Sequence, residues 1–198
     1  MADNFKDKAA TWDKGSTRVN GAKTIADAIH KRIDFYPHME LMDFGVGTGL
    51  LGFEILPHVK TILGIDTSEK MLEKLDEKNS ETLYIKPKNI DIVQTPLEEE
   101  FHGIISSMTL HHVEDLQLFF QTIHKNLKDD GFIAIADLES EDGSFHSDNT
   151  GVFHFGFDEK ELLKIVDNIG FKDIKIENIN TINKPQRDFG VFLLTARK

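Results

Sequence analysis

Short apolar runs alternate with amphipathic, helix-spaced segments through most of this 198-residue sequence, and the last two runs have no helical segment between them. Parallel neighbours in a sheet need a long crossover, usually a helix, whereas antiparallel neighbours need only a turn. The order of elements therefore predicts a doubly wound, seven-stranded, mostly parallel α/β sheet. Helices cover both faces, and the sheet ends in a C-terminal antiparallel hairpin.

Ala22, Ile25, Ala26, Ile29 and Ile33 form an apolar stripe at helical spacing within Asn20 to Phe35. Leu41 to Phe44 reads as a buried strand. A helix from Thr48 to Leu56 follows, stopped by Pro57. Thr61 to Ile65 is the second strand, and Ser68 caps a helix reaching Asn79. Pro87 argues against a strand before it, so the third strand is placed at Asn89 to Val93. Phe101 to Ser107 is the fourth strand, followed by a helix over Asp115 to Leu127. Asp129-Asp130-Gly131 turns into the fifth strand, Phe132 to Ala136. A helix over Asp158 to Asn168 starts with acidic residues that suit its dipole and is closed by Gly170. Ile174 to Ile179 and Phe189 to Ala196 form the hairpin, joined by a loop containing Pro185.

Nothing resembling a linker divides the chain, so residues 1–198 are expected to form one domain. The sequence has no cysteine, which removes disulfides and thiolate chemistry. Its net charge of −11 argues against nucleic acid as a partner. Lys6, Lys8, Lys14, Arg18 and Lys23 read as a solvated helical face, and Glu98 to Glu100 as a solvated turn. No apolar stretch is long enough to span a membrane. Met1 to Lys8 carries charges where a secretory signal would be apolar, and a cytoplasmic location is expected.

The strongest chemical signal is Leu41-Met-Asp-Phe-Gly45-Val-Gly47-Thr-Gly49-Leu-Leu-Gly52, with Asp66 closing the next strand about twenty residues on. Glycines at a strand end let backbone approach a ligand closely. A strand-end carboxylate beside them can accept hydrogen bonds from both hydroxyls of a ribose. The glycines have two registers. From Gly47 they read Gly-x-Gly-x-x-Gly, which suits a nicotinamide dinucleotide and an oxidoreductase. From Gly45 they read Asp-x-Gly-x-Gly-x-Gly. Asp43 inside the strand and Gly45 directly at its end favour this second register.

In that register the chain resembles the class I, Rossmann-like S-adenosylmethionine-dependent methyltransferases, from about Phe5 onward. Gly64-Ile-Asp66-Thr67-Ser68-Glu-Lys-Met71-Leu looks like the family's second-strand motif. Phe101 through His111-His112-Val resembles the fourth-strand motif, Leu127-Lys-Asp-Asp-Gly131-Phe the turn into strand five, and Phe192 to Lys198 the last strand. The resemblance implies a methyltransferase with S-adenosyl-L-methionine as cofactor. Asp43 and Gly45 then lie near its methionine end, Gly47 and Gly49 bring backbone against it, and Asp66 holds the ribose. Thr67, Thr95 and Ser107 complete the implied cofactor shell. Met71 is either an adenine neighbour or a core residue. The family often has an acidic residue after strand three for the adenine amino group; here Gln94 takes that place, with Asp91 three residues earlier as the alternative. Related enzymes often place an aromatic residue over the site, which assigns Trp12, in an N-terminal helical segment 1–36, to a lid. A non-catalytic, cofactor-binding scaffold or regulatory subunit keeps the same motifs and stays open.

The acceptor side rests on histidines. His111 and His112 follow strand four at the edge where open α/β sheets bind ligands, and a histidine there can serve as a base near neutral pH. The connector 138–157 is assigned to the acceptor site. Phe153, Phe155 and Phe157 alternate strictly, so an extended segment puts all three on one face, with His154 among them as a further candidate base. An edge strand packing those rings into the core is the competing reading. The acidic run Asp137 to Asp142 with His146 is read as a solvated connector, so no metal is expected. The acceptor is taken to be a small molecule, with a protein side chain as second choice.

Overall fold

The computed structural model describes residues 9–198. Phe5, Lys6, Lys8 and the start of the 1–36 segment lie outside the described residues. A 3₁₀ turn over Ala9–Lys14 leads into α1 (Ser16–His30). There follow β1 (Glu40–Phe44), α2 (Leu50–Ile55), β2 (Thr61–Asp66), α3 (Glu69–Asp76), β3 (Ile85–Asn89) and β4 (Phe101–Ser107). The chain continues through α4 (Leu116–Lys125), β5 (Leu127–Leu138), α5 (Glu159–Ile169), β6 (Lys172–Asn183) and β7 (Asp188–Arg197).

The strands form one sheet in the order β3-β2-β1-β4-β5-β7-β6. Pairings from β3 through β5 are parallel, and β7 runs antiparallel to both β5 and β6. This is the predicted fold class. Strand order reverses between β1 and β4, and the crevice at such a switch point is where open α/β sheets bind ligands.

Strand alternation sorts the core into two layers. Leu41, Ile62, Ile105 and Leu193 pack with Ile25 and Ile29 of α1, Leu51 and Ile55 of α2, and Leu72 and Leu75 of α3. Met42, Leu63, Ile104 and Leu194 face the other way, against Phe119, Phe120 and Ile123 of α4 and Leu162 and Val166 of α5. Helix caps follow the sequence. Asp158 accepts from the amides of Lys160 and Glu161, Asp115 from Leu118, and Ser68 from Met71. Gly170 ends α5 at φ 105°.

The third strand is corrected. It spans Ile85–Asn89 and includes Pro87, which pairs opposite Gly64. A proline cannot donate to a ladder, but β3 is an edge strand and has a neighbour on one side alone. The expected strand at Asn89 to Val93 is instead a turn, in which Asp91 accepts from the amides of Val93 and Gln94. The turn expected before β5 lies within that strand. Leu127 pairs with Phe101, Gly103 with Phe132, and the residues between bulge around Asp130 at φ 59°. The first helix begins and ends earlier than its apolar stripe suggested, although Ile33 beyond it is still buried. The helix at 48–56 is shorter and passes into a 3₁₀ turn over Leu56–His58 that contains Pro57. Among the described residues, no helix is long and apolar enough to cross a membrane.

Candidate functional site

Two turns meet at the carboxyl ends of β1, β2 and β4. The first is the glycine turn. The amides of Gly45 and Val46 donate to the Ile65 carbonyl at 2.9 and 3.0 Å, folding the turn back over the end of β2. Gly45, Gly47 and Gly49 have φ of 68°, 53° and 83°. They differ in what a side chain would meet. A Cβ on Gly45 would stand 2.2 Å from Thr109 Cγ2, so packing against the second turn requires the glycine. A Cβ on Gly47 would meet nothing within 4 Å. Gly47 therefore presents bare backbone to open space, which is the form of a ligand cradle.

Asp66, at the end of β2, ties this cradle together. Its Oδ2 accepts from the Gly47 amide at 2.8 Å and its Oδ1 from the Ser68 amide at 2.8 Å. Behind the cradle lies Asp43, 1% exposed, whose enclosed Oδ2 faces Gly52 of α2. Burial, with the Asp66 charge nearby, pushes the Asp43 carboxyl well above the usual carboxylate range, against the opposing pull of the Gly52 amide.

The second turn follows β4. Met108 adopts φ 57° and donates its amide to the Ala136 carbonyl at 2.8 Å. The Thr109 hydroxyl donates to the Ser107 carbonyl at 3.2 Å and lies 3.4 Å from the Gly45 carbonyl, joining the two turns. Beneath them, Ser106 donates to the Phe44 carbonyl at 2.7 Å, and Ser107 is half-buried at the strand end.

The N-terminal segment reaches the cradle from above. Thr48 donates to Asp13 Oδ1 at 2.6 Å, and Lys78 beyond α3 pairs with Asp13 Oδ2 at 2.8 Å. The Arg18 guanidinium stacks 4.1 Å over the half-buried Trp12 ring. Of the remaining cofactor candidates, Thr67 is exposed and Met71 is buried at 2%. The shifted third strand puts Asp91, half-buried, two residues past the strand end. Gln94 and Thr95 are exposed, and Thr95 lines a cleft of about 520 Å³ shared with Lys88, Ile90 and Leu97.

The histidines gather beyond the second turn. His111, 2% exposed, sits in a 3₁₀ turn over Leu110–His112. Its Nδ1 lies 2.7 Å from Asp137 Oδ1, and its amide donates to Asp137 Oδ2 at 3.1 Å. His112 and His146 lie beside it with their rings tilted by 48° and 41°, centroids 4.2 and 4.9 Å away. The Nδ1 of His112 lies 2.7 Å from the Gly151 carbonyl. Desolvation, then the charges of His111, His112 and Lys184, lower His146 to about 4, against the opposing pull of Asp137. The connector docks on this cluster, because the amides of Phe153 and His154 donate to the His111 carbonyl.

The expected shared face of the three phenylalanines is not present. Phe153 and Phe155 are 51% and 45% exposed, whereas Phe157 is 7% exposed and packs into the core near Phe192. Gly156 at φ 68° breaks the alternation between them. His154 is turned away from the histidine cluster, with Nε2 2.9 Å from the Val113 carbonyl and its ring against Phe157. Met108 and Thr109 lie inside the fourth-strand motif, and the sequence alone gave them no role of their own. It also placed Asp137 and His146 in a solvated connector. The signal for Asp137 was available, since it closes a buried apolar strand as Asp66 does. Among the described residues, no group of histidine and acidic side chains is arranged to hold a metal ion.

Residues 42–135 match the family described as "Methyltransferase domain". That match takes in a little under half of the chain, and in this stretch the chain is similar to methyltransferases. The chain is 30% identical over 171 residues to an uncharacterized methyltransferase of Schizosaccharomyces pombe, covering 77% of this chain and 58% of that protein. The chain thus spans somewhat more than half the length of that relative. Among solved structures, a methyltransferase from Mesorhizobium loti superposes with a TM-score of 0.73 at 21% identity, covering 91% of this chain and all of that one. The Haemonchus contortus phosphoethanolamine N-methyltransferase 2 bound to S-adenosyl-L-methionine has a TM-score of 0.72 at 16% identity, covering 98% of this chain and 60% of that one. At those identities the superpositions report the fold.

Proposed function

We propose that this chain transfers the methyl group of S-adenosylmethionine to a small-molecule acceptor. The observation that carries the reading is the pairing of Gly47 with Asp66: bare backbone facing open space, braced by a strand-end carboxylate. The residues present fit the cofactor. The Asp66 carboxylate is an acceptor for ribose hydroxyls. Gly45, Gly47 and Gly49 supply backbone, Thr67 and Ser107 flank them, and Asp91, two residues past the end of β3, replaces Gln94 as the adenine-side acid. Trp12, held over the cradle by the Asp13–Thr48 bond, covers the site.

A sulfonium supplies an already activated methyl group, so the chain's task is orientation and exclusion of water. Alignment of reacting groups is worth roughly 7 to 11 kcal/mol by effective-molarity reasoning. The histidine cluster lies on the acceptor side. The negative chain charge favours a small molecule over nucleic acid, with a protein side chain as second choice.

Calorimetry with S-adenosylmethionine, S-adenosylhomocysteine and NADH tests the reading. Binding of the first two without the third is expected. Binding of NADH alone would overturn it, and cofactor binding with no turnover on any acceptor would favour the scaffold reading.

A further inference from the structure

Asp137 is fully buried at the end of β5, and three donors converge on it. The His111 amide reaches Oδ2 at 3.1 Å, the Leu138 amide Oδ1 at 2.7 Å, and His111 Nδ1 stands 2.7 Å from Oδ1. Two backbone amides already donate to the two carboxylate oxygens, which makes the carboxylate an acceptor toward its remaining partner as well. The remaining partner must then donate, so the proton of a neutral His111 sits on Nδ1. Its Nε2 keeps the lone pair. That nitrogen has no hydrogen-bond partner among the described residues, and it is not one of their fully enclosed unpaired polar atoms. The ring is held from the other sides by His112 and His146, and Lys184 acts on the cluster through His146. A carboxylate that selects an imidazole tautomer is the arrangement by which hydrolytic triads make a general base.

We propose that Asp137 is a positioning residue that fixes His111 as the proton acceptor on the acceptor side of the site. The inference rests on the methyltransferase reading and deepens it, because it selects acceptors whose reacting atom still carries a proton at neutral pH, such as a hydroxyl. In that step the acceptor O–H proton passes to His111 Nε2 and the oxygen electron pair forms the bond to the methyl carbon. The carbon–sulfur bond breaks with its pair going to sulfur, leaving a neutral thioether and a protonated imidazole. A bound neutral amine needs no such help before it attacks.

The test is a long-range proton–nitrogen NMR spectrum of the full chain labelled at histidine nitrogen, with His111 assigned from a His111→Gln variant. At neutral pH the wild type should show Nδ1 protonated and Nε2 bare, the bare nitrogen resonating well downfield. Asp137→Ala removes the acceptor and should move the downfield signal from Nε2 toward Nδ1, since a free neutral imidazole prefers the Nε2-protonated tautomer. Adding S-adenosylhomocysteine should shift the Nε2 signal and leave Nδ1 in place. A wild-type His111 that is Nε2-protonated or doubly protonated overturns the proposal, whatever the variant does. So does a tautomer unaffected by Asp137→Ala in a folded protein, or an Nε2 signal unmoved by nucleoside that calorimetry shows to be bound. Failure of the nucleoside to bind at all counts against the methyltransferase reading instead, because the tautomer is read without it.

Discussion

Asp66 Oδ2 accepts a hydrogen bond from the Gly47 amide at 2.8 Å, across nineteen residues of sequence. The bond joins the end of β2 to the turn after β1, so the acid and the exposed glycine backbone form one unit before any ligand arrives. A ribose that bonds to this carboxylate meets a group already oriented by the Gly47 and Ser68 amides. The energetic cost of ordering it has been met in folding, which is the sense in which the site is preorganised.

Replacing Asp66 with alanine removes the acceptor for the Gly47 and Ser68 amides and the proposed acceptor for the ribose. Cofactor affinity should fall by roughly 1.5 to 3 kcal/mol, the range for hydrogen bonds to charged groups. Titration calorimetry with S-adenosylhomocysteine on the folded variant checks this, and unchanged affinity would refute the assignment.

Gly45 and Gly47 should respond differently to alanine. At Gly45 the new Cβ would sit 2.2 Å from Thr109, so the two turns must part and thermal stability should drop markedly. At Gly47 the Cβ meets no atom, and the cost is the left-handed backbone alone, roughly 1 to 2 kcal/mol. The Gly47→Ala protein should fold and bind cofactor poorly. Equal loss of stability in both variants would contradict the open-cradle reading.

His146 supplies a pH dependence. Its folded value of about 4 lies below the ordinary histidine value near 6.5, so unfolding takes up a proton between them. The stability it contributes is fully present above about pH 6.5 and is lost as pH falls toward 4. His146→Phe should flatten that part of the melting-temperature profile. A variant with the wild-type slope over this interval would mean that other groups carry the acid sensitivity.

Trp12 is the one tryptophan in the sequence, which makes the proposed N-terminal cover open to test. Cofactor binding should change its emission. Asp13→Ala loses the bonds to Thr48 and Lys78, and it should weaken cofactor binding while shifting the emission of the free protein toward that of exposed indole. Emission indifferent to bound nucleoside would remove the lid from the picture.

The alternation of short apolar runs with helical stripes specified the layered sheet, because burial on one or both faces writes its period directly into the chain. The absence of a helix between the last two runs specified the antiparallel β6–β7 hairpin. The spacing of Gly45, Gly47 and Gly49 from Asp66 marked the cradle, since a crossing from one strand to its parallel neighbour needs about that length. Other features depend on neighbours that no local pattern records. Pro87 is tolerated in β3 because β3 lies at the edge of the sheet, and edge position is a property of strand order. That placement in turn moved the strand end toward Asp91 and away from Gln94. Phe155 and Phe157 look alike in the alternation, yet Gly156 turns one outward and the other into the core. His111 and Asp137 are twenty-six residues apart and meet because β4 and β5 lie side by side, so their pairing belongs to the tertiary structure alone.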